Sequence, residues 1–337
     1  MHKIILGVFI SLIFVSSLAD AKSKKKSGKD KHGAIEEQLE MNTAAIDEIQ
    51  QAIAASIDPI LLAVDCTNGD SISAELARLA TAPNHIQINI TGVCEEQVFI
   101  RRNNVTLSGS GPQDGITGNY AVAATHGVSN VTVRDMTLKG GFAGLTCHQG
   151  AAVTGDNLHI LNGERGVLAF HNGTCRLIDS LISGNTQGMT IADNSSVVMS
   201  GGVIENSQVG ANVFTNSSLT LGTVGSPSIV RGNQQGIRVF SNGSLRLAET
   251  VIEENDVGIE ASFGGSIFVD INTEVLIQNN TSDGMRLFES TNAKLRNTLS
   301  IENNGGSGVY CQGAVAFFDN GASFSGNANG PISPACM

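Results

Sequence analysis

Carboxylates and imidazoles recur at similar intervals in the first half of this sequence. Asp179 lies two intervals of roughly 22 residues after Asp135, and His171 lies about one such interval after His148. Carboxylates beside imidazoles can bind a metal ion or perform general acid–base chemistry on a polysaccharide. In the alternative interpretation, each aspartate caps a turn and each histidine occupies a polar corner. On the first interpretation, the candidate catalytic residues are Asp135, Asp179, His148 and His171.

A repeat of roughly 22 residues, lengthened in some copies, runs through most of the chain and must position these side chains. Self-similarity at a nearly fixed period is typical of stacked architectures. One glycine can be aligned per repeat, and an asparagine stands three or four residues before most of these glycines. Asparagine tolerates the left-handed backbone of a sharp corner, and its side chain can bond to the copies in neighbouring coils. The aligned residues are Gly144, Gly166, Gly188, Gly210, Gly236, Gly258, Gly284, Gly308 and Gly330, with Asn162, Asn185, Asn206, Asn233, Asn255, Asn280, Asn304 and Asn327.

Each repeat contains three short segments with the pattern of β-strands. The segment after the glycine has apolar residues at its first and third positions, such as Ile237 and Val239. Alternation with a period of two directs these side chains inward. Strands stacked at about 4.8 Å per coil form parallel ladders, so about ten coils would make a rod about 50 Å long. The sequence therefore predicts an all-β stack of coils with three short strands in each coil.

The second and fourth residues after each glycine are predicted to point outward. Four phenylalanines share the fourth position, and arginines alternate with Glu260 and Tyr310 at the second position. An outward apolar stripe on a monomer usually marks a partner surface. Three interpretations remain open: the strand bends and buries the rings, the rings form a face between subunits, or they form a platform for sugars. The predicted binding or oligomer face consists of Phe170, Phe214, Phe240, Phe288, Arg238 and Arg286.

The amino-terminal residues precede the repeat and differ from it in composition. Residues 1–21 combine a positive start, an apolar run and a small-x-small site, which predicts a secretory signal. The alternative is a membrane anchor, but the apolar run is shorter than the roughly 20 residues that span a bilayer. Residues 22–33 contain six lysines and one aspartate and form a basic linker. No later stretch is long and apolar enough to cross a membrane.

Residues 34–58 carry apolar residues at heptad spacing between Ile35 and Ile53, with Asn42 at a core position. One interpretation is a single amphipathic helix that lies on the body of the protein. The other is a short coiled coil, in which isoleucine at most core positions favours three strands. The second interpretation predicts a homotrimer through Ile35–Ile53.

A short helix and six cysteines accompany the repeat. Residues 71–80 predict a helix that caps the open end of the stack, as a solenoid requires. Six cysteines allow fifteen pairings, and pairing of neighbours is favoured because each spacing is close to one coil. No Cys-x-x-Cys motif and no Cys/His cluster has zinc-ligand spacing, so the sequence predicts no metal site and names no cofactor. The predicted disulfides are Cys66–Cys94, Cys147–Cys175 and Cys311–Cys336.

The coil pattern of residues 63–337, with its Asn-x-x-Gly-Ile corners, resembles the right-handed parallel β-helix repeat proteins of the pectate-lyase-like superfamily. The stretches VDCTNGDSI (64–72) and ITGVC (90–94) look like the amino-terminal part of bacterial secreted members. The resemblance implies an all-β right-handed parallel β-helix with an amino-terminal helical segment. Members include pectin and alginate lyases, epimerases, hydrolases, phage tailspikes and adhesin-like proteins, so the resemblance implies no single activity. The Asp-Asp, Gly-His-Gly, Asp-Pro-His-Asp and arginine–proline motifs of member enzymes do not occur in this sequence.

The charge of the repeat region limits its partners. From Ala34 onward the chain has 13 Lys and Arg against 29 Asp and Glu, a net charge of −16. Such a surface is a poor partner for nucleic acid and for polyanionic sugars in general. We therefore expect a secreted, periplasmic or cell-surface β-helix that acts as a binding or structural module for polysaccharide or cell-surface partners. The alternative is a lyase or epimerase that acts on an acidic polysaccharide through the four candidate catalytic residues.

Overall fold

The computed structural model describes residues 58–296, 298–318 and 321–336. The predicted signal sequence, the basic linker and the heptad segment up to residue 57 lie outside the described residues. Within the described ranges, no helix is long and apolar enough to cross a membrane. The described residues contain one α-helix, α1 (Ile72–Arg78), and two short 3-10 helices, Cys66–Asn68 and Pro334–Cys336.

The rest of the regular structure consists of β-strands. The first nine are β1 (Ile60–Asp65), β2 (Ile86–Thr91), β3 (Val93–Glu95), β4 (Val98–Ile100), β5 (Val105–Ser108), β6 (Gly115–Ala124), β7 (Val131–His148), β8 (Ala152–Leu161) and β9 (Arg165–Phe170). The next ten are β10 (Thr174–Ile178), β11 (Leu181–Ser183), β12 (Gln187–Ile191), β13 (Ser196–Ser200), β14 (Val203–Glu205), β15 (Val209–Val213), β16 (Ser218–Leu221), β17 (Ser228–Arg231), β18 (Gln235–Val239) and β19 (Ser244–Leu247). The last ten are β20 (Thr250–Glu253), β21 (Val257–Ala261), β22 (Ser266–Val269), β23 (Val275–Gln278), β24 (Met285–Phe288), β25 (Asn292–Leu295), β26 (Leu299–Glu302), β27 (Val309–Gln312), β28 (Val315–Phe318) and β29 (Ser323–Ser325).

These strands stack in parallel on their counterparts one coil away and form three sheets of a solenoid. Sheet 1 contains β1, β2, β5, the first parts of β7 and β8, and then β10, β13, β16, β19, β22, β25 and β28. Sheet 2 contains β3, parts of β6, β7 and β8, and then β11, β14, β17, β20, β23, β26 and β29. Sheet 3 contains β4, the ends of β6 and β7, and then β9, β12, β15, β18, β21, β24 and β27.

Sheet 1 therefore has twelve strands in the described part of the chain, and the solenoid has about twelve turns. The sequence predicts about ten, because the coils before Gly144 lack the aligned glycine. The three strands per coil and the inward positions after the glycine are as predicted. Ile237, Val239, Leu245 and Leu247, for example, are all buried in one continuous core.

The repeat glycines are required by close approach between coils. A Cβ atom on Gly188, Gly210, Gly236 or Gly258 would lie 2.4 Å from the carbonyl oxygen of the aligned glycine in the next coil. Their φ angles lie outside the left-handed region, so backbone conformation is not the reason for glycine here. The alignment is wrong by one residue at its last position, because the oxygen that faces Gly308 belongs to Pro331 rather than to Gly330.

The predicted asparagine ladder forms at the corner between sheets 2 and 3. The side chains of Asn233, Asn255, Asn280 and Asn304 are buried, and each donates a hydrogen bond of 2.8–3.1 Å to the asparagine of the next coil. The ladder ends on Asn327.

Asn162 and Asn206 do not belong to this ladder. Their ladder positions are taken by Gly163 and Ser207, whose N–H groups bond to Asn185 and Asn233. Asn162 and Asn206 occupy the preceding position, where the backbone is left-handed with φ of 58° and 54°. The corner thus needs two residues per coil, one for the left-handed turn and one for the ladder.

Helix α1 and two of the disulfides stabilise the coils near the ends, and the third disulfide links coils inside the stack. Ser71 caps the helix, and the Glu96 carboxylate accepts bonds from the N–H groups of Ile72 and Ser73. Ile72 and Leu76 of this helix are buried in the core. All three predicted disulfides form, with Cα–Cα distances of 5.0, 6.0 and 5.0 Å for Cys66–Cys94, Cys147–Cys175 and Cys311–Cys336.

Candidate functional site

The phenylalanines predicted to point outward form a column along the outer edge of sheet 3. Each residue in this aromatic column is the fourth after a repeat glycine, and parallel pairing keeps the positions in register from coil to coil. None of the four phenylalanines is part of the buried core, so the interpretation that the strand bends and buries them is wrong. In chain order the column contains His148, Phe170, Ala192, Phe214, Phe240, Ser262 and Phe288.

The rings of the aromatic column stack in pairs. The ring centroids of His148 and Phe170 are 3.9 Å apart with planes 10° from parallel, and those of Phe214 and Phe240 are 4.9 Å apart at 5°. Ala192 separates the first pair from the second. Because successive coils are about 4.8 Å apart, Phe170 and Phe214 lie two coil spacings from each other. Ser262 makes a second break, between Phe240 and Phe288.

A polar column lies beside the aromatic column, at the second residue after each glycine. Arg238 stands 3.7 Å from Glu260 and over the ring of Phe240, with 5.3 Å between the guanidinium carbon and the ring centroid. Arg286 is bound by Asp283 at 2.7 Å. The arginines that the sequence predicts for this face are therefore paired with acids. Thr190 and Asn212 continue the polar column toward the amino terminus and are buried.

Two of the four candidate catalytic residues meet at the corner between sheets 3 and 1. His148 Nε2 lies 3.0 Å from His171 Nδ1, and His171 Nε2 lies 3.4 Å from the Asp193 carboxylate. If His171 presents its Nε2–H group to this carboxylate, its Nδ1 accepts a hydrogen bond from the Nε2–H group of His148. The Nδ1 of His148 is then the basic nitrogen of the group. We call His148, His171 and Asp193 the histidine corner.

The other two candidates lie at a different corner, between sheets 1 and 2. Asp135 accepts a bond of 2.9 Å from Asn157, and both Asp135 and Asp179 have left-handed backbone, with φ of 55° and 44°. The width of sheet 1 separates them from His148 and His171. The four residues therefore do not form a single acid–base group, and the two aspartates have the turn role of the alternative interpretation.

Asp193 is the carboxylate that sequence reasoning missed. It takes the same position in its turn as His171 does one coil earlier, and both residues have a left-handed backbone. The interval between His171 and Asp193 equals the common length of the repeat, and this was available as a signal. A search that looks for the same residue type at equivalent positions of successive repeats does not find Asp193, because the equivalent residue one coil earlier is a histidine.

Burial lowers the pKa of His148 below its ordinary value, and the nearby His171 and His126 lower it further. The unfolded chain then binds a proton more readily than the folded chain, so this group favours folding fully above about pH 6.5 and progressively less below it. We expect the melting temperature to fall between about pH 7.5 and pH 5.5, and to fall less in His148→Gln. Thermal unfolding followed by circular dichroism tests this, and an equal fall in both proteins would contradict it.

Among the described residues, no group of three or more His, Cys, Asp and Glu side chains could hold a metal ion. The arrangement thus offers aromatic surface, paired charges and one basic imidazole.

Part of this chain matches a known family model. Residues 86–252 match the model of the right-handed β-helix region. The A-module of the mannuronan C-5 epimerase AlgE6 from Azotobacter vinelandii is similar in structure, with 16% identity, 78% of this chain and 93% of that chain covered, and a TM-score of 0.47. An alginate lyase from Paenibacillus sp. str. FPU-7 has 10% identity, coverage of 82% and 98%, and a TM-score of 0.33. At these values neither likeness bears on the chemistry of this chain. No curated protein matches it.

Proposed function

We propose, from the premise that this chain belongs to the right-handed parallel β-helix proteins, that it is an exported module which binds an extended polysaccharide along sheet 3. The observation that carries the proposal is the aromatic column with its two breaks. Three disulfides support export, because disulfides persist in oxidising compartments.

The repeat of the solenoid suits a polymeric ligand. Equivalent side chains recur at about 4.8 Å along the axis, which is close to the length of one sugar unit in an extended polysaccharide. A chain that runs along sheet 3 can therefore meet an equivalent position at each unit. The paired arginines and the buried Thr190 and Asn212 form a polar strip beside the rings.

The breaks at Ala192 and Ser262 are the proposed sugar positions. Phe170 stacks on His148, and Phe214 stacks on Phe240, so each pair uses one face of each ring. The remaining faces of Phe170 and Phe214 point along the axis toward Ala192. The side chain of Ala192 is small and buried, so a sugar unit would lie over it, between the two aromatic rings.

The charge of the protein narrows the class of polysaccharide. The chain from Ala34 onward has a net charge of −16, and the arginines of the polar column are already paired with acids. A polyanion would be repelled by this field. We therefore propose a neutral polysaccharide as the ligand.

Retention of the mature protein in gels that contain neutral β-glucans, galactans, alginate or pectate tests the proposal. We expect retention by a neutral polysaccharide, about tenfold weaker binding by Phe214→Ala, and loss of binding by Ala192→Phe, which fills the break. Ala192→Phe completes the stack, so its melting temperature is expected to stay at or above that of the wild type.

Phe268→Ala is the matched control for this experiment. Phe268 is a half-buried outward phenylalanine of β22 in sheet 1, with Arg296 over its ring at 4.8 Å. Its removal is expected to leave retention unchanged. Equal weakening by Phe268→Ala and Phe214→Ala would sink the proposal, as would a lack of retention by any neutral polysaccharide.

The histidine corner supports a second candidate function, a polysaccharide lyase. His148 Nδ1 would take the proton next to the carboxyl group of a uronate, the bond from the ring to the glycosidic oxygen would break, and a carbon–carbon double bond would form. The leaving oxygen would take a proton from solvent. His171 and Asp193 would orient His148 for this step, as their distances of 3.0 and 3.4 Å suit.

Ultraviolet absorbance of unsaturated ends released from alginate or pectate tests the second candidate. Activity is expected in the wild type, with a loss of at least a hundredfold in His148→Gln. His159→Gln is the control, because His159 is a half-buried outward histidine of sheet 2. The lyase is excluded if the wild type releases no unsaturated ends, or if both variants lose activity equally.

A further inference from the structure

The outer face of sheet 2 carries an aliphatic stripe that neither proposed function uses. Its five residues occupy one outward column on five consecutive strands, and the pairing places them directly above one another. A polar residue bounds the stripe at each end: His159 on the strand before Leu181, and Ser300 on the strand after Leu276. The stripe consists of Leu181, Val203, Ile229, Val251 and Leu276.

All five side chains of this stripe are partly exposed, whereas the residues beside them in each strand point into the core. The corresponding outward column of sheet 1 is mixed, with Arg176, Val198, Thr220 and Arg246 on successive strands. Contiguous apolar surface of this kind marks a contact with another macromolecule. Branched aliphatic side chains lack the flat faces and the hydrogen-bonding groups that sugars need, so the occupant is a protein surface.

A charged column runs beside the aliphatic stripe and identifies the partner. Two residues further along each strand stand Ser183, Glu205, Arg231, Glu253, Gln278 and Glu302, in register from coil to coil. Arg231 binds Glu205 at 2.9 Å, and the side chain of Arg231 is 44% exposed, so a second carboxylate can reach it. The single base of this column thus lies between two acids.

We infer that the partner is a second copy of this chain, packed sheet 2 against sheet 2 in antiparallel orientation about a two-fold axis that runs parallel to the strands. Such an axis reverses the order of the coils and keeps the charged columns opposite one another. When the axis passes between β17 and β20, Arg231 of each copy faces Glu253 of the other.

In this register the remaining pairs are compatible as well. Glu205 faces Gln278, and Ser183 faces Glu302, so no like charges meet. Along the stripe, Ile229 faces Val251, and Val203 faces Leu276. An axis through Ile229 itself would instead place Arg231 opposite Arg231 and Glu205 opposite Glu253. The charge pattern therefore selects one register, as like charges across an interface do in general.

The size of the stripe sets the expected affinity. Five strands at about 4.8 Å make it about 20 Å long, which is at the small end of specific interfaces. We expect association at micromolar concentrations, so sedimentation should be measured up to about 100 μM.

The test is the mass of the full mature chain by sedimentation equilibrium, with a charge swap as the decisive comparison. Arg231→Glu and Glu253→Arg are each expected to weaken association at least tenfold and to halve the observed mass. The double variant Arg231→Glu/Glu253→Arg restores opposite charges across the axis and is expected to recover the mass. Circular dichroism confirms that each variant is folded.

Val203→Asp and Val198→Asp form a matched pair for the stripe. Both are half-buried outward valines of the same coil, one in sheet 2 and one in sheet 1, and only Val203→Asp should dissociate the protein. Each of these proteins, including the wild type, is also measured with the additional change Ile46→Lys, which is intended to prevent association through the heptad segment. A wild type that stays monomeric up to about 100 μM, a single charge variant that keeps its mass, or a double variant that stays dissociated would overturn the inference.

Discussion

Gly236→Ala is expected to destabilise the protein by about 3–5 kcal/mol, which lowers the melting temperature by about 10 °C, or to prevent folding. The added Cβ would lie 2.4 Å from the Gly258 carbonyl oxygen and 3.1 Å from Asn255 Nδ2. The carbonyl belongs to the backbone of the next coil and cannot rotate away as a side chain could. The two coils must move apart, which weakens the ladders and the buried contacts around them.

Gly141→Ala is the control for this prediction. Its Cβ would meet no atom closer than 3.3 Å, and the φ angle of Gly141 lies outside the left-handed region. We expect a change within about 1 kcal/mol. Thermal unfolding of both variants measures the difference, and similar melting temperatures would show that close approach does not explain the repeat glycines.

Asn255→Ala is expected to cost about 3–5 kcal/mol. The buried Asn255 side chain donates to the carbonyl oxygens of Val230 and Glu253 and to Asn280 Oδ1, at 3.1, 2.9 and 3.1 Å. Its own oxygen accepts from the backbone and side chain of Asn233, each at 3.0 Å. Alanine would leave these buried partners without a bond and without access to water, which is the costly case for a lost hydrogen bond.

Asn206→Ala is the matched control, because Asn206 lies one position before the ladder and its side chain is exposed. Its loss removes the residue that tolerates a φ of 54° and should cost only about 1–2 kcal/mol. The fraction of intact chain after limited proteolysis detects local opening of the coils, which a global melting curve of a repeat protein can miss. Asn255 has no special role if the two variants are cleaved at the same rate.

The repeat in the sequence was sufficient to predict the coils and the inward side chains, but it left open whether the phenylalanines are buried or point outward. These features depend on the alternation of neighbouring residues, which a single coil already shows. The asparagine ladder was predicted with two errors, because Asn162 and Asn206 stand at the left-handed position and the ladder position accepts Gly163 or Ser207. Two adjacent positions in the corner favour asparagine for different physical reasons, and residue type alone does not separate them.

The candidate site was harder to predict. The number of repeats before a residue tells which coil it occupies, but its position within the repeat decides at which corner of the coil it lies. Asp135 and His148 are separated by more than half of a coil, so they lie at different corners. Asp193 shares a phase with His171 but not a residue type. The contact between His148 and His171 depends on how the turn directs two side chains, which no spacing encodes.

The positions of the disulfides also determine how this protein would respond to tension along its length. The loops closed by Cys66–Cys94, Cys147–Cys175 and Cys311–Cys336 span 28, 28 and 25 residues, so each bond joins neighbouring coils only. In the described part of the chain, the long segment between Cys175 and Cys311 has no covalent link across coils. A molecule pulled at its two ends could therefore extend through this whole segment while the disulfide loops stayed closed. At about 3.5 Å per residue, the complete unfolding of this segment would lengthen the molecule by several hundred ångströms. The protein could therefore extend under load without breaking a covalent bond.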